Sequence, residues 1–412
     1  MRINRRFLVF ETILLAFVLA LTGALHHLKA DTGTCGGTTT TVPFNDVGSS
    51  AFFCQIAAAY FSGLTNGTTA TTYSPTATVT REQMAAFITR TQDGALRRGS
   101  QRAALGQWWL SWDAWSAYEY YFPGSAATQV WVQSDGFNVY LTEGGRLISR
   151  SLVDGALREL GGMTNAFGVL YQNGWLWVTG RTAPGRLYRM SLLDTNATQM
   201  SGSLGDNPQF LAYDGARIWT ANHGDNSGSV SIYDTRGGAL QNVTGFLPLS
   251  GIVYDGANIW VSEEGDPSSP FFPPSLLKLD ANGNVLERVL NIGPGRPIFD
   301  GVNIWVPNAL RDSLSVVRVS TATLIATLSG NGLSYPTAAA FDGQRILVTN
   351  FGAGGGGRVS LWKATDLIPL GFFALEPKIV ARPFYPHAAC SDGKSFWILA
   401  EDRAGSSLLM RY

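Results

Sequence analysis

The sequence predicts a mainly β protein, a seven-bladed β-propeller with a small N-terminal α-helical module after a signal peptide. Three observations favour this fold class. A phrase built around Asp-Gly recurs along the chain, the composition is rich in Gly (47) and Trp (12), and charged residues make up only 15%. Short apolar strands that repeat about every 40 residues are typical of propeller blades.

The net charge of the chain indicates which classes of partner to expect. The chain has 30 basic and 30 acidic side chains, so its formal net charge is zero. No overall field attracts it to nucleic acid or to an acidic membrane surface. We therefore expect no nucleic-acid partner, and a membrane contact only through an uncleaved signal, if at all.

Residues 1–30 predict an export signal. Arginines in the first six residues precede an apolar run over residues 12–25, and Ala30 offers a small residue for cleavage. An uncleaved anchor is the alternative, although Glu11 interrupts the longer apolar stretch. The protein is expected to be exported, either to the cell envelope and cell surface or in secreted form.

Export makes the cysteines informative. Cys35 and Cys54 lie close together in a short segment, and in an oxidising compartment they predict a disulfide. Two free buried thiols are the alternative. Cys390 lies in an apolar stretch and is expected to be a small core residue.

The repeated phrase occurs seven times, as SDGFNVYLTE, QNGWLWVTG, YDGARIWTAN, YDGANIWVSE, FDGVNIWVPN, FDGQRILVTN and SDGKSFWILAE. The residue before each glycine recurs at steps of 38 to 50 residues: Asp135, Asn173, Asp214, Asp255, Asp300, Asp342 and Asp392. Because no single blade can bury its own faces, each copy supplies the packing surface for the next one. The repeat therefore predicts seven blades.

Each unit is consistent with a four-stranded blade. An apolar strand runs into Asp-Gly, which suits a tight hairpin turn, and a second apolar strand follows. The large residue five positions after the Asp, such as Trp219 or Trp260, is expected to fill the space between blades. The last unit has sequence for three strands only, so we expect a strand within residues 110–122 to complete the seventh blade.

These units resemble the blades of the YVTN, NHL and virginiamycin B lyase-like propellers. The resemblance implies the propeller fold over residues 108–412. It does not specify the function, because propellers of this group include binding proteins, lactonases and lyases.

The segment VPFNDVGSSAFFCQIAAAYFSGLTNGTTATTYSPTATVTREQMAAFITR is similar to an S-layer homology (SLH) module. In this segment Thr80 and Gln83 also form the pattern of a helix capping box. The residues that match the module pattern are Phe44, Asp46, Val47, Gly63, Gly67, Pro75, Thr80, Arg81 and Met84.

The SLH resemblance implies binding to peptidoglycan or wall polysaccharide over residues 31–93. The glycan-binding role is carried over to Arg81, with Asp46 either at the site or fixing the loop beside it. The alternative is structural, with Asp46 capping a turn and Arg81 lying in the first turn of a helix. Proteins that bind walls usually carry three such modules, and this chain has one. Residues 94–107 are expected to form a basic connecting helix.

The ends of the second strands suggest a metal site. The residue eight positions after the Asp is polar in five units, and a ring of oxygens suits a divalent cation. Alternatively, these side chains start tight turns by bonding their own backbone. We expect no other cofactor. The five residues are Glu143, Asn222, Glu263, Asn308 and Asn350.

Acid–base groups are scarce along the propeller. His223 and His387 with Glu263 form the candidate catalytic set, which would serve a lyase or lactonase. Most residues at the start of the first strands cannot do acid–base chemistry. The residues five positions before each Asp are Val130, Gln209, Ser250, Gly295, Thr337 and His387, with Gly168 before Asn173.

Three functional classes remain. The first is an exported envelope protein whose SLH-like module associates with wall glycan and whose propeller is a non-enzymatic platform for an unidentified protein or small molecule. The second is a metal-assisted lyase or lactonase in the propeller. The third is a structural component of a surface layer.

Overall fold

A computed structural model describes residues 30–35, 38–98, 119–122, 131–172, 174–193, 196–265, 273–352, 356–375, 383–402 and 406–412. The predicted export signal lies outside the described residues, except for Ala30. Contacts divide the chain into two compact units, residues 1–87 and 88–412. None of the described helices combines the length and the apolar character that a membrane span requires.

The small unit contains a hairpin and two helices. Strand β1 (Asp31–Cys35) pairs antiparallel with β2 (Thr38–Val42). Helix α1 (Phe53–Phe61) follows, and helix α2 (Arg81–Arg98) begins in this unit. The predicted disulfide between Cys35 and Cys54 is confirmed, and it ties the end of β1 to the start of α1.

Helix α2 starts with the predicted capping box. The backbone N–H of Thr80 donates to Gln83 Oε1 (2.9 Å), and the backbone N–H of Gln83 donates to Thr80 Oγ1 (3.2 Å). Two apolar side chains of this helix are exposed, Met84 at 49% and Ile88 at 60%. The module boundary expected after residue 93 falls inside α2.

The large unit is a seven-bladed propeller, and the predicted fold class is confirmed. Seven four-stranded sheets follow one another, and consecutive strands within a sheet pair antiparallel. Six blades use four successive strands each. The seventh blade combines the last three strands of the chain with the first strand of the propeller.

The strand bounds are as follows, in blade order. The first three blades are β4–β7 (Trp131–Ser134, Asn138–Glu143, Arg146–Ser151, Leu157–Leu160), β8–β11 (Ala166–Gln172, Trp175–Gly180, Gly185–Ser191, Thr198–Leu204) and β12–β15 (Pro208–Tyr213, Arg217–Asn222, Gly228–Asp234, Leu240–Phe246). The next three are β16–β19 (Leu249–Tyr254, Ile259–Glu263, Ser275–Leu279, Val285–Leu290), β20–β23 (Ile298–Phe299, Asn303–Asn308, Ser313–Arg318, Thr323–Ser329) and β24–β27 (Pro336–Phe341, Arg345–Asn350, Arg358–Lys363, Pro369–Ala374). The seventh is β28–β30 (Tyr385–Ser391, Phe396–Glu401, Ser407–Arg411) with β3 (Glu119–Phe122).

The ring closes through β3. This strand lies within residues 110–122 and pairs antiparallel with β30, with Tyr120 opposite Leu409. Pairing the first propeller strand with the last removes the open edge that β30 would otherwise present.

The fifth blade departs from the others at its first strand. Strand β20 has two residues, whereas the first strands of the other blades have four to seven. Pro294 and Pro297 precede it, and proline cannot donate to a strand ladder. The sequence GPGRP therefore enters the centre of the ring as a loop.

The Asp-Gly turns are built alike in six described hairpins. In the fourth blade, Asp255 accepts the backbone N–H groups of Ala257 (2.7 Å) and Asn258 (2.6 Å), and Trp260 Nε1 donates to its other oxygen (2.7 Å). The glycine of this turn, Gly256, has φ 96°, a conformation that favours glycine.

The large residue five positions after the Asp therefore does two things. Trp219, Trp260, Trp305 and Trp397 are each at most 2% exposed, so they fill the space between blades as predicted. Their indole N–H groups also bind the turn carboxylates, a role that the sequence analysis missed. The constant spacing of five residues was the available signal.

Candidate functional site

The residues implied by the SLH resemblance lie around a loop of the small unit. Asp46 accepts the backbone N–H of Ser74 (2.7 Å) and that of Tyr73 (2.9 and 3.2 Å to its two oxygens). Both carboxylate oxygens of Asp46 are therefore used to hold the loop before α2. This arrangement favours the loop-fixing role over direct ligand contact.

Gly67, one of the glycines of the SLH pattern, is required by packing. Its φ is 86°, and a Cβ atom there would lie 2.4 Å from Phe44. Phe44 is fully buried and contacts Tyr60 and Tyr73 with ring centroids 5.4 and 5.5 Å apart. The glycine thus lets the loop close over the aromatic core of the unit.

Arg81 is exposed at the first position of α2. Among the described residues it forms no ion pair. Its guanidinium group therefore faces solvent, where an acidic group of a glycan could form two parallel hydrogen bonds with it.

The propeller contains a cavity of about 290 Å³ at the side where the first strands of the blades begin. Chain segments of the second to seventh blades contribute to its wall. The lining residues are Phe167, Arg181, Gln209, Ser250, Pro294, Gly295, Arg296, Ala309, Pro336, Thr337 and His387. We call this the axial cavity.

β-Bulges place several of these side chains. In four blades the pairing of the first and second strands skips one residue, and that residue lines the axial cavity. Bulges commonly re-aim a side chain beside a functional site. In the second blade the skipped residues are Phe167 and Gly168. The four single bulge residues are Gln209, Ser250, Thr337 and His387.

Arg296 reaches the cavity from the loop before β20. Its guanidinium lies 4.5 Å from the ring centroid of Trp131 and 4.1 Å from that of Phe210. Arg181 follows β9, and its guanidinium lies 5.0 Å from the ring centroid of Phe167. The contacts of Arg296 thus join three blades, because Trp131 belongs to the first blade, Phe210 to the third and Arg296 to the fifth.

Burial makes these arginines electrostatically unusual. It lowers the pKa of Arg296 to about 9, and the positive charge of Arg181 contributes to the lowering. Burial also lowers the pKa of Arg181. With a pKa of about 9, Arg296 remains charged near neutral pH, so the axial cavity carries positive charge there.

His387 lines the cavity and contacts the carboxyl group of Glu401, which is not a lining residue. Its Nε2 atom lies 3.6 Å from Glu401 Oε2. Burial lowers the pKa of His387 to about 4, and the charge of Arg296 acts in the same direction. Burial raises the pKa of Glu401 to about 7, with Glu143 and Asp402 adding to the effect. Near pH 6 the pair is therefore mostly uncharged.

The candidate catalytic residues have separate partners. His223 Nε2 lies 3.1 Å from Glu264 Oε1, and this contact raises the pKa of His223. Glu263 forms an ion pair with Arg288 and accepts a hydrogen bond from Ser275 (2.9 Å). His387 is the one member of the candidate set that lines the axial cavity.

The candidate metal ring is held by contacts within the blades. Asn222 donates to Ser229 (3.1 Å) and Ser231 (2.8 Å), and Asn350 donates to Ser360 (2.9 Å). Asn350 also bonds backbone, donating to the Val348 carbonyl (3.1 Å) and accepting the Ser334 N–H (3.2 Å), so both side-chain and backbone partners occur at these positions. Within the described residues, no group of three His, Cys, Asp or Glu side chains is arranged to hold a metal ion.

Glu143 and Asn308 complete that set. Glu143 lies 3.5 Å from Arg146, and Asn308 is buried at the end of β21. Neither side chain lines the axial cavity. Within the described residues, none of the five side chains of this set lines the axial cavity.

Arg181 and Arg296 are the site residues that sequence reasoning missed. Gly295, directly before Arg296, was among the positions singled out at the blade entries. The available signal was that GPGRP places an arginine between two prolines where the other blades have a strand.

The comparison with protein families identifies the small unit. Residues 43–85 match the family model of the S-layer homology domain. The SLH domain is thus followed by a propeller in the same chain, and it indicates a cell-surface or envelope-associated protein. No curated protein matches the sequence.

Solved structures similar to this chain are propellers. The β-propeller domain of Myceliophteria thermophila Cps50 (Swd1) has 10% identity and a TM-score of 0.53, covering 71% of this chain and 99% of that one. A chain of the mitotic checkpoint complex has 10% identity and a TM-score of 0.56, covering 72% and 93%. Hydrazine synthase of Kuenenia stuttgartiensis has 14% identity and a TM-score of 0.52, covering 69% and 95%. These likenesses establish the fold and leave the predicted YVTN or NHL subtype unconfirmed.

Proposed function

We propose that the SLH domain attaches this protein to cell-wall glycan and that the propeller is a non-enzymatic binding platform displayed at the cell envelope. The observation that carries the proposal is the SLH match over residues 43–85 in the same chain as a closed propeller. Attachment would hold the axial cavity at the cell surface, where ligands from outside can reach it.

Arg81 is the residue proposed to contact the glycan. It is exposed, and the capping box between Thr80 and Gln83 fixes the backbone that carries it, so less backbone entropy is lost on binding. Its planar guanidinium matches a carboxylate better than a lysine ammonium would. Asp46 is proposed to support this site from the loop before α2.

The binding role is preferred over catalysis because of what faces the cavity. The axial cavity is lined by two arginines and by hydroxyl and amide groups, and His387 is its one described imidazole. Glu263 and His223, which a lyase or lactonase would need beside His387, are bonded to Arg288 and Glu264. A cavity that combines positioned arginines with apolar walls is typical of a ligand-binding site.

The test is co-sedimentation of the purified protein with isolated cell-wall sacculi at low and high salt. We expect the protein to pellet with the sacculi, less so at high salt, because exposed charge contacts are screened. Arg81→Ala should weaken pelleting by about tenfold, as expected for a lost bidentate contact. Arg236→Ala removes an equally exposed arginine from the propeller and should pellet like the unchanged protein.

Two results would contradict the proposal. Full retention of pelleting by Arg81→Ala, with both variants folded by circular dichroism, would remove Arg81 from the glycan contact. No pelleting of the unchanged protein at either salt concentration would show that this single SLH domain does not attach the chain to the wall.

A further inference from the structure

The axial cavity has an excess of positive charge that its own wall does not balance. Of its described lining residues, Arg181, Arg296 and His387 are the titratable ones, and none is acidic. No carboxylate of the described residues lies within ion-pair distance of either arginine. Both guanidiniums are partly withdrawn from solvent, and cations in that position without a counter-ion raise the free energy of the folded protein.

Arg296 is held in place but not fully satisfied. Its contacts with Trp131 and Phe210 stabilise the cation through the ring faces and fix the plane of the guanidinium. Ring faces do not accept strong hydrogen bonds, and Nη1 of Arg296 is buried without a hydrogen-bond partner among the described residues. The cavity therefore presents an oriented donor that lacks an acceptor.

Neighbouring groups limit what kind of ligand fits. The side chain of Phe167 adds an apolar wall, whereas Gln209, Ser250 and Thr337 supply polar atoms. The Ser250 hydroxyl donates to the Pro294 carbonyl (2.5 Å), so its proton is already engaged. Charge recognition consequently falls on the two arginines, and the rest of the wall accommodates a partly apolar body.

We propose that the axial cavity binds a small organic anion, held through carboxylate oxygens by Arg181 and Arg296 and packed against Phe167. A carboxylate would neutralise the repulsion between the two cations and accept from the unsatisfied Arg296 donor. The cavity of about 290 Å³ is at the small end for ligand sites, which suits a metabolite-sized acid. This inference rests on the proposed platform role of the propeller and not on wall attachment.

The test is calorimetric titration of the purified protein at constant ionic strength. The probes are succinate and benzoate, with succinamide and benzamide as neutral counterparts and inorganic phosphate as a compact anion. We expect at least one carboxylate to bind and the matching amide not to bind. Arg296→Met and Arg181→Met should each weaken that binding by about tenfold or more, because a hydrogen bond to a charged group is lost.

Arg236→Met is the matched control, since this arginine is exposed in the turn after β14, away from the cavity. It should keep the affinity of the unchanged protein. The inference is wrong if neither carboxylate binds, if the amides bind equally well, or if both cavity variants retain affinity. Binding of phosphate alone would also overturn it, because it would show a site for an inorganic anion. All of these titrations are done without sacculi, so they are independent of the wall-attachment test.

Discussion

The two ends of a propeller blade differ in how closely they repeat. At the Asp-Gly end, six described hairpins use a carboxylate that accepts two backbone N–H groups, and in five of them an indole or phenol five positions later donates to the same carboxylate. At the cavity end, the first strands begin with side chains that differ from blade to blade. Repetition at one end serves packing, and variation at the other leaves room for a ligand.

The sixth blade shows how strictly the repeated end is maintained. Leu347 occupies the position of the usual Trp and cannot donate a hydrogen bond. Arg345 takes over, and its Nε donates to Asp342 Oδ2 (2.8 Å) with both side chains at most 1% exposed. The donor has changed but the carboxylate is still bound, so a bound turn Asp is common to the six described Asp-Gly hairpins.

Arg345 at the Asp-Gly end and Arg296 at the cavity end should therefore respond oppositely to substitution by Met. Arg345→Met leaves the Asp342 carboxylate buried without its cation, and we expect a loss of about 3–5 kcal/mol in the free energy of unfolding. Urea unfolding monitored by tryptophan fluorescence measures it. This is the largest effect that we predict.

Two further variants test the physical reason. Asp342→Asn in the Arg345→Met background removes the uncompensated charge and should recover part of the lost stability. Arg236→Met, at an exposed position, should change stability little. A stability loss in Arg345→Met below about 1 kcal/mol, within the range of ordinary substitutions, would mean that the repeated ends do not depend on a bound carboxylate.

At the cavity end, Arg296→Met should raise the unfolding free energy of the ligand-free protein by about 1 kcal/mol. The substitution removes a buried charge that has no counter-ion, and methionine can still pack against the rings of Trp131 and Phe210. Urea unfolding in the absence of organic anions shows whether Arg296→Met raises or lowers the unfolding free energy. A clear loss of stability would show that Arg296 stabilises the fold as Arg345 does. The proposed difference between the two ends of the blades would then be wrong.

The repeated end was largely predictable from sequence, because its contacts are local. Asp255 and Trp260 are five residues apart, so a constant spacing in sequence reflects a constant contact in the hairpin. The number of blades and the position of the closing strand follow from the same periodicity. The resemblance to the SLH pattern likewise rests on short-range features, such as Gly67 and the capping box at Thr80.

The cavity was not predictable, because its contacts join distant parts of the chain. Trp131, Phe210 and Arg296 come from the first, third and fifth blades, and no sequence spacing relates them. A bulge at Gln209 or His387 adds a residue to a strand without changing its apolar pattern. His223, His387 and Glu263 were grouped because acid–base groups are scarce along the propeller, but their partners depend on side-chain contacts that sequence does not specify.

The smallest predicted effect concerns pH at the cavity end. Glu401 has a pKa of about 7 in the folded protein, above its usual value of 4.5, so its contribution to stability is present below pH 4.5 and lost as the pH rises to 7. His387 has a pKa of about 4, below its usual 6.5, so folding becomes more favourable as the pH rises from 4 to 6.5. Between pH 4.5 and 6.5, Glu401 therefore lowers the stability as the pH rises, whereas His387 raises it.

Single substitutions should separate these slopes. Relative to the unchanged protein, His387→Gln should lose stability as the pH rises from 4.5 to 6.5, and Glu401→Gln should gain it, each by up to about 1 kcal/mol per pH unit. Urea unfolding at several pH values gives the differences, in which the contributions of Glu143, Asp402 and Arg296 cancel to first order. Identical slopes in both variants would contradict the opposite pKa shifts of His387 and Glu401. If the slopes do separate, the charge of the axial cavity between pH 5 and 6 comes from Arg181 and Arg296, because Glu401 ionises mainly as the pH approaches 7. Anion binding should then change between pH 5 and 6 only as the ligand itself titrates.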